Sequence, residues 1–193
     1  GADHSLVVMK NGELFSFGKG FCGATGLGHE RDVLEPHRVG GFEGFHVLEA
    51  AGGSAHSLVM ARDQSGFVQV LSFGSGHDGQ LGHGDWRSKG YRLSQPKQVK
   101  GLNGQGVVQI SCGEYHTAAL ASNGQVFTWG KSVNGQLGHS EDSSKKATTS
   151  PTLVTALQGE QIARIACGGA HTVALAANGD VWQWGDPISG QLG

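Results

Sequence analysis

Four histidines stand in one recurring context: His4 in GADHSLVV, His56 in GSAHSLVM, His116 in GEYHTAAL and His171 in GGAHTVAL. Imidazoles gathered together could bind a metal ion or move protons. Zinc, however, needs its ligands within about 2.1 Å of one ion, and an active site rarely needs one identical group in every copy of a repeat. Repetition therefore points to architecture, with each imidazole expected to pin its own loop by hydrogen bonding to backbone. The histidines after Leu-Gly, at His29, His83 and His139, follow the same beat and read as corner residues. The chain contains no nucleophile elbow, P-loop or Cys-x-x-Cys pair, so neither a cofactor nor a metal is expected and conventional catalysis has no foothold.

The four histidines lie 52, 60 and 55 positions apart, and other landmarks keep the same register. Asn-Gly follows His4, His116 and His171 at Asn11, Asn123 and Asn178, while the second copy uses Ser65-Gly66 after a two-residue insertion. Asn-Gly between apolar runs signals a β-hairpin, expected here with a type I′ turn. The second strand of each hairpin ends in an aromatic and a glycine, at Phe17-Gly18, Phe73-Gly74, Trp129-Gly130 and Trp184-Gly185. An apolar residue stands two positions earlier in each, the alternation of a strand with one buried face. A Leu-Gly corner comes next, at Leu27, Leu81, Leu137 and Leu192. After a variable stretch, Pro36, Pro96 and Pro151 each precede the next histidine by 20 residues. This block holds two more strands, with proline expected at a strand's first position. Four strands per period, in units of about 1–52, 53–112, 113–167 and 168–193, predict one partial domain: an all-β, β-propeller stack of four-stranded antiparallel blades.

Composition agrees with that reading. Glycine supplies 34 of 193 residues, far above the usual share, and 37% of the chain is hydrophobic, in short runs. A formal charge of −2 gives no overall pull toward nucleic acid or an acidic membrane. No apolar run approaches the roughly 20 residues a membrane span requires. Three cysteines, Cys22, Cys112 and Cys167, make no disulfide framework. Reduced thiols in an intracellular protein, cytoplasmic or nuclear, are expected.

Gly-x-x-His-[Ser/Thr]-x-x-Leu, Asn-Gly-x-Val-x-x-Trp-Gly and Gly-Gln-Leu-Gly together resemble the repeats of the regulator of chromosome condensation family, over essentially the whole chain. The resemblance implies a seven-bladed propeller, of which about three and a half blades are present, so a larger parent protein is expected. Family members that exchange nucleotide on the small GTPase Ran use acidic, amide and histidine side chains of these same loops. Carried over by position, the partner-binding candidates are Asp3, Glu114 and Tyr115, with His4, His56, His116 and His171 lining the same face. Ser54-Ala55 and Gly169-Ala170 depart from that pattern. Exchange factors also use a protruding wedge, for which residues 83–95 and 139–150 are the long candidate insertions.

The first of these insertions is basic and aromatic: Trp86, Arg87, Lys89, Tyr91 and Arg92 could touch phosphate or chromatin. The ultraviolet-B-sensing branch of the family uses Gly-Trp-Arg-His-Thr, which Asp85-Trp86-Arg87-Ser88 does not reproduce. The expected function is a protein-interaction propeller, a module of a larger polypeptide; the alternative is guanine nucleotide exchange on a Ran-like GTPase through the Gly-x-x-His face.

Overall fold

The computed structural model describes residues 1–84, 91–139 and 146–193. Within them lie fourteen strands, which form four antiparallel sheets in chain order. The first contains β1 (His4–Val8), β2 (Leu14–Gly18) and β3 (Val33–Arg38). The second runs β4 (Phe45–Gly52), β5 (His56–Asp63), β6 (Val68–Ser75), β7 (Arg92–Gln98). The third runs β8 (Val107–Cys112), β9 (His116–Ala121), β10 (Val126–Lys131), β11 (Ala147–Leu153). The fourth contains β12 (Ile162–Cys167), β13 (His171–Ala176) and β14 (Val181–Gly185). Strands β4, β8 and β12 contact one another in succession, so the sheets radiate as blades with these strands innermost.

Packing between blades explains the strand sequences. Val59 and Ala61 of β5 join Leu14, Val39, Phe42 and Phe73 in the core between the first two blades. Leu58 and Met60, on the opposite face of the same strand, join Ile110, Phe127 and Trp129 in the core between the second and third. A third core, with Leu120, Val126, Ile165 and Ala174, separates the last two blades. Interior strands are thus buried on both faces, which is why His116–Ala121 is buried at every position. That corrects the one-face reading of the alternation: a strand covered on both sides carries a continuous apolar or small-residue run.

Two further expectations change. The hairpin turns are not type I′, because Gly12 has φ 82° while no asparagine has positive φ. Gly12 N–H donates to the Met9 carbonyl and Met9 N–H to that of Glu13, the three-residue loop in which glycine supplies the left-handed position. Asn11 contributes its side-chain oxygen, which accepts from Glu13 N–H at 3.1 Å. The prolines sit inside the outer strands, not at their starts. In each, three residues ending in Pro36, Pro96 or Pro151 stand opposite a single residue, Phe17, Phe73 or Trp129. An outer edge with a bulge tolerates the missing N–H.

Candidate functional site

The Gly-x-x-His loops at Gly53, Gly113 and Gly168 each connect the innermost strand of a blade to the next strand, and the loops, that at Gly1 included, are tied to one another. Ala2 N–H donates to the Gly53 carbonyl, Ser54 N–H to that of Glu114, and Glu114 N–H to that of Gly169. The loops leaving the third strands reach the same end of the blades, since Lys19, Ser75, Lys131 and Asp186 N–H donate to the carbonyls of Asp3, Ala55, Tyr115 and Ala170. One continuous face results.

The histidines build this face from below. Nε2 of His4, His56 and His116 lies 2.8, 3.1 and 2.9 Å from the hydroxyl of Ser57, Thr117 and Thr172, in each case in the following blade. Those hydroxyls donate their one proton to the carbonyls of Ala24, Gln80 and Gln136. The imidazole must therefore be the donor, which selects the neutral tautomer with the proton on Nε2. Nδ1 of His56 and of His116 is buried without a hydrogen-bond partner among the described residues. Burial pushes His56 down to about 3, reinforced by His116 and His4. It pushes His116 down to about 4, reinforced by His171. Burial likewise lowers His4 to about 4, against the pull of Asp3.

The motif's glycine has a packing reason. A Cβ on Gly53 or Gly113 would stand 2.1 Å from Cε1 of the histidine three residues on, so the ring lies directly on the glycine Cα. The imidazoles pin their loops, as expected, but they do so through a neighbour's hydroxyl and not through backbone. His4, His56 and His116 are buried, at 4%, 0% and 0% exposure, beneath the residues that precede them in each loop. His171 is half-buried.

The residues before each histidine point outward. Asp3 is exposed and pairs with Lys19 at 3.4 Å. Glu114 is exposed and Tyr115 half-buried. The Lys131 ammonium lies 4.8 Å from the Tyr115 ring centroid, a cation–π contact. The neighbouring Glu114 carboxylate holds the Tyr115 phenol above its ordinary range. The structure thus brings Glu114, Tyr115 and Lys131 together across one loop pair, with Asp3 two blades away.

A second joint escaped the sequence reading. The Gln80 carbonyl accepts from Thr117 and also from the Trp129 indole N–H at 2.8 Å; the Gln136 carbonyl likewise accepts from Thr172 and from Trp184 at 2.9 Å. The Gly-Gln-Leu-Gly corner is therefore a socket for the next blade. Its first-blade equivalent is Ala24-Thr25-Gly26 and not Leu27-Gly28: Ser16 donates to the Thr25 carbonyl as Ser72 does to Leu81 and Thr128 to Leu137. His83 and His139 approach Ser72 and Thr128 at 2.9 Å, whereas His29 falls outside this pattern. Among the described residues no cluster of three or more His, Cys, Asp or Glu is placed to hold a metal ion.

Along the inner strands a third set of contacts crosses between blades. Gln109 donates from Nε2 to the Ile165 carbonyl at 2.8 Å and accepts from Ile165 N–H at 2.9 Å. Glu49 accepts from Ile110 N–H at 3.2 Å, and Ser111 accepts from Cys167 N–H at 2.9 Å. The signal was present: Glu49, Gln109 and Arg164 each precede their histidine by seven residues.

Of the basic segment, Trp86, Arg87 and Lys89 lie outside the described residues, as do parts of both wedge candidates. Tyr91 packs against Gly76 with its hydroxyl buried, and Arg92 forms an ion pair with Glu30 of the first blade. The three cysteines are free thiols; burial raises Cys112, and raises Cys167 to about 11. No helix among the described residues is long and apolar enough to cross a membrane.

Comparison with known proteins places these joints in a family. A model described as "Regulator of chromosome condensation (RCC1) repeat" matches residues 11–60, 69–120 and 123–175, and a second of the same description matches 107–136 and 162–191. The chain is 36% identical over 193 residues to the human "Probable E3 ubiquitin-protein ligase HERC6", covering all of this chain and 18% of that protein. It is 34% identical over 195 residues to the "Ultraviolet-B receptor UVR8" of Arabidopsis thaliana, of which it covers 42%. Among solved structures, human WBSCR16 superimposes with TM-score 0.81 at 30% identity, over 97% of this chain and 46% of that one. Prp20p of Saccharomyces cerevisiae, described with "Its Binding Properties to Gsp1p and Histones", gives 0.78 at 27% identity, over 95% and 42%. The chain thus spans less than half the length of each of these relatives.

Proposed function

The chain belongs to the regulator of chromosome condensation (RCC1) repeat family, and on that premise we propose that it is a protein-interaction propeller domain of a larger, intracellular protein, docking its partner on the Gly-x-x-His face. One observation carries the reading: the part of each loop that recurs from copy to copy is consumed by joints between blades, while Asp3, Glu114 and Tyr115, at positions that differ between copies, are exposed or half-buried. Tyr115 is the natural anchor. It is an amphipathic ring with the Lys131 ammonium over its face and the Glu114 carboxylate beside it in the chain, and an aromatic of this kind gives contact area at little entropic cost.

A photo-crosslinking residue at position 115 is expected to trap a protein partner that the same residue at 64, on the opposite hairpin end, does not trap, and Glu114→Ala is expected to weaken that adduct at least about tenfold. Equal trapping at both positions overturns the reading. A second reading, exchange of guanine nucleotide on a Ran-like small GTPase, draws support from the acidic Asp3 and Glu114 and from the likeness to Prp20p. Such exchange works by binding the nucleotide-free GTPase more tightly than the loaded form. Nucleotide release from a panel of small GTPases separates the two: acceleration that is lost on changing Asp3 and Glu114 to Ala selects exchange, and no acceleration selects docking alone.

A further inference from the structure

The inner strand of each blade is an edge whose unpaired backbone groups face the neighbouring blade, and such groups must be capped when water is excluded. In the third blade the cap is Gln109. Its amide matches Ile165 group for group, donating to the carbonyl and accepting from the N–H. A bulge aims it: Val107 pairs with Ala121 and Gln109 with Leu120, so Val108 is the extra residue and the next side chain swings toward the neighbour. The second blade repeats this construction, with Val47 opposite Ala61, Glu49 opposite Met60, and Leu48 the extra residue. The arm there is a carboxyl. It accepts from Ile110 N–H, but an ionised carboxylate has no proton for the Ile110 carbonyl.

We propose that Glu49 is a proton-operated latch between the second and third blades. Protonated, its carboxyl caps Ile110 through both backbone groups, as Gln109 caps Ile165. Ionised, it holds Ile110 by the N–H alone and sets its second oxygen against a carbonyl. The surroundings favour the neutral form. Burial raises the Glu49 carboxyl above the ordinary range, opposed only by the Ile110 N–H. The ionisable group facing it from β8 is the Cys112 thiol, which is itself raised and stays neutral. From β5 its pair is the uncharged Met60, with Arg62 farther along opposite His46. From β1, His4 is neutral and sits at the Gly52 end of β4.

The latch predicts that this seam tightens as pH falls, the reverse of the histidine joints. Carboxyl carbon titration by NMR is expected to place the Glu49 midpoint above the ordinary glutamate value of about 4.3. Amide exchange at Ile110, corrected for intrinsic rate and referred to Ile165, is expected to slow about fivefold from neutral to mildly acidic pH. Glu49→Gln should give the slow rate throughout, and the reciprocal Gln109→Glu should transfer the pH dependence to Ile165, which keeps the test decisive if the first variant fails to fold. An ordinary Glu49 midpoint, or Ile165 exchange that stays independent of pH in Gln109→Glu, overturns the proposal.

Discussion

A buried imidazole with one partnered nitrogen is stable only while it stays neutral, and the hydroxyl facing each of His4, His56 and His116, its own proton committed elsewhere, then fixes the tautomer with the proton on Nε2. Replacing Thr172 by Val keeps the shape but leaves the His116 N–H without its acceptor and removes one donor from the Gln136 carbonyl. We expect a loss of about 1–3 kcal/mol in denaturant unfolding, with Thr172→Ser restoring most of it. The recurrence of Gly-x-x-His was enough to read these residues as architecture. Their partners were not legible, because each hydroxyl sits 53 to 61 positions ahead, and a motif seen within one unit does not reveal which atom it meets in the next. The outward residues Asp3, Glu114 and Tyr115 became candidates through the family resemblance, carried over by position.

At the scale of elements, the aromatic-Gly strand end and the Gly-Gln-Leu-Gly corner are two halves of one joint. Trp129→Phe keeps the ring against the second blade and loses the indole N–H to the Gln80 carbonyl. A cost of about 1 kcal/mol is expected from urea midpoints, whereas Phe73, at the same place in the previous blade, already lacks that bond. The strands and hairpins were legible from Asn-Gly turns and periodic apolar residues. Two details were not. Asn-Gly allows several turn types, and only the closing hydrogen bonds select the three-residue loop. Leu27-Gly28 imitates the corner of the other copies, yet counting eight residues on from Gly18, Gly74 and Gly130 reaches Gly26, Gly82 and Gly138, which puts Thr25 in the leucine's place. Local likeness misled where distance along the strand would have served. Proline inside an outer strand is tolerated through a bulge that depends on the pairing of two strands, which residue types alone do not specify.

For the whole molecule, the joints act together, since each blade covers the apolar flank of the next. His4, His56 and His116 have folded values of about 4, 3 and 4, below the ordinary 6.5 of the unfolded chain. Between those limits the unfolded state binds more protons, so the stability these groups contribute is complete above about pH 6.5 and is lost as pH falls below it, at up to about 1.4 kcal/mol per pH unit for each histidine. Denaturant midpoints measured from neutral to acidic pH should show that decline, offset in part by Glu49. Propeller architecture was readable from the 52- to 60-residue beat; the identity of a partner was not, because recognition rests on a few outward side chains that the repeat does not constrain. The most direct test of the joints is long-range nitrogen–proton NMR of the histidine rings through a pH titration. We predict that His56 and His116 keep the neutral form protonated on Nε2 well below pH 6; imidazolium signals appearing with a midpoint near the ordinary histidine value, or protons on Nδ1, would contradict the cross-blade joint on which the account rests.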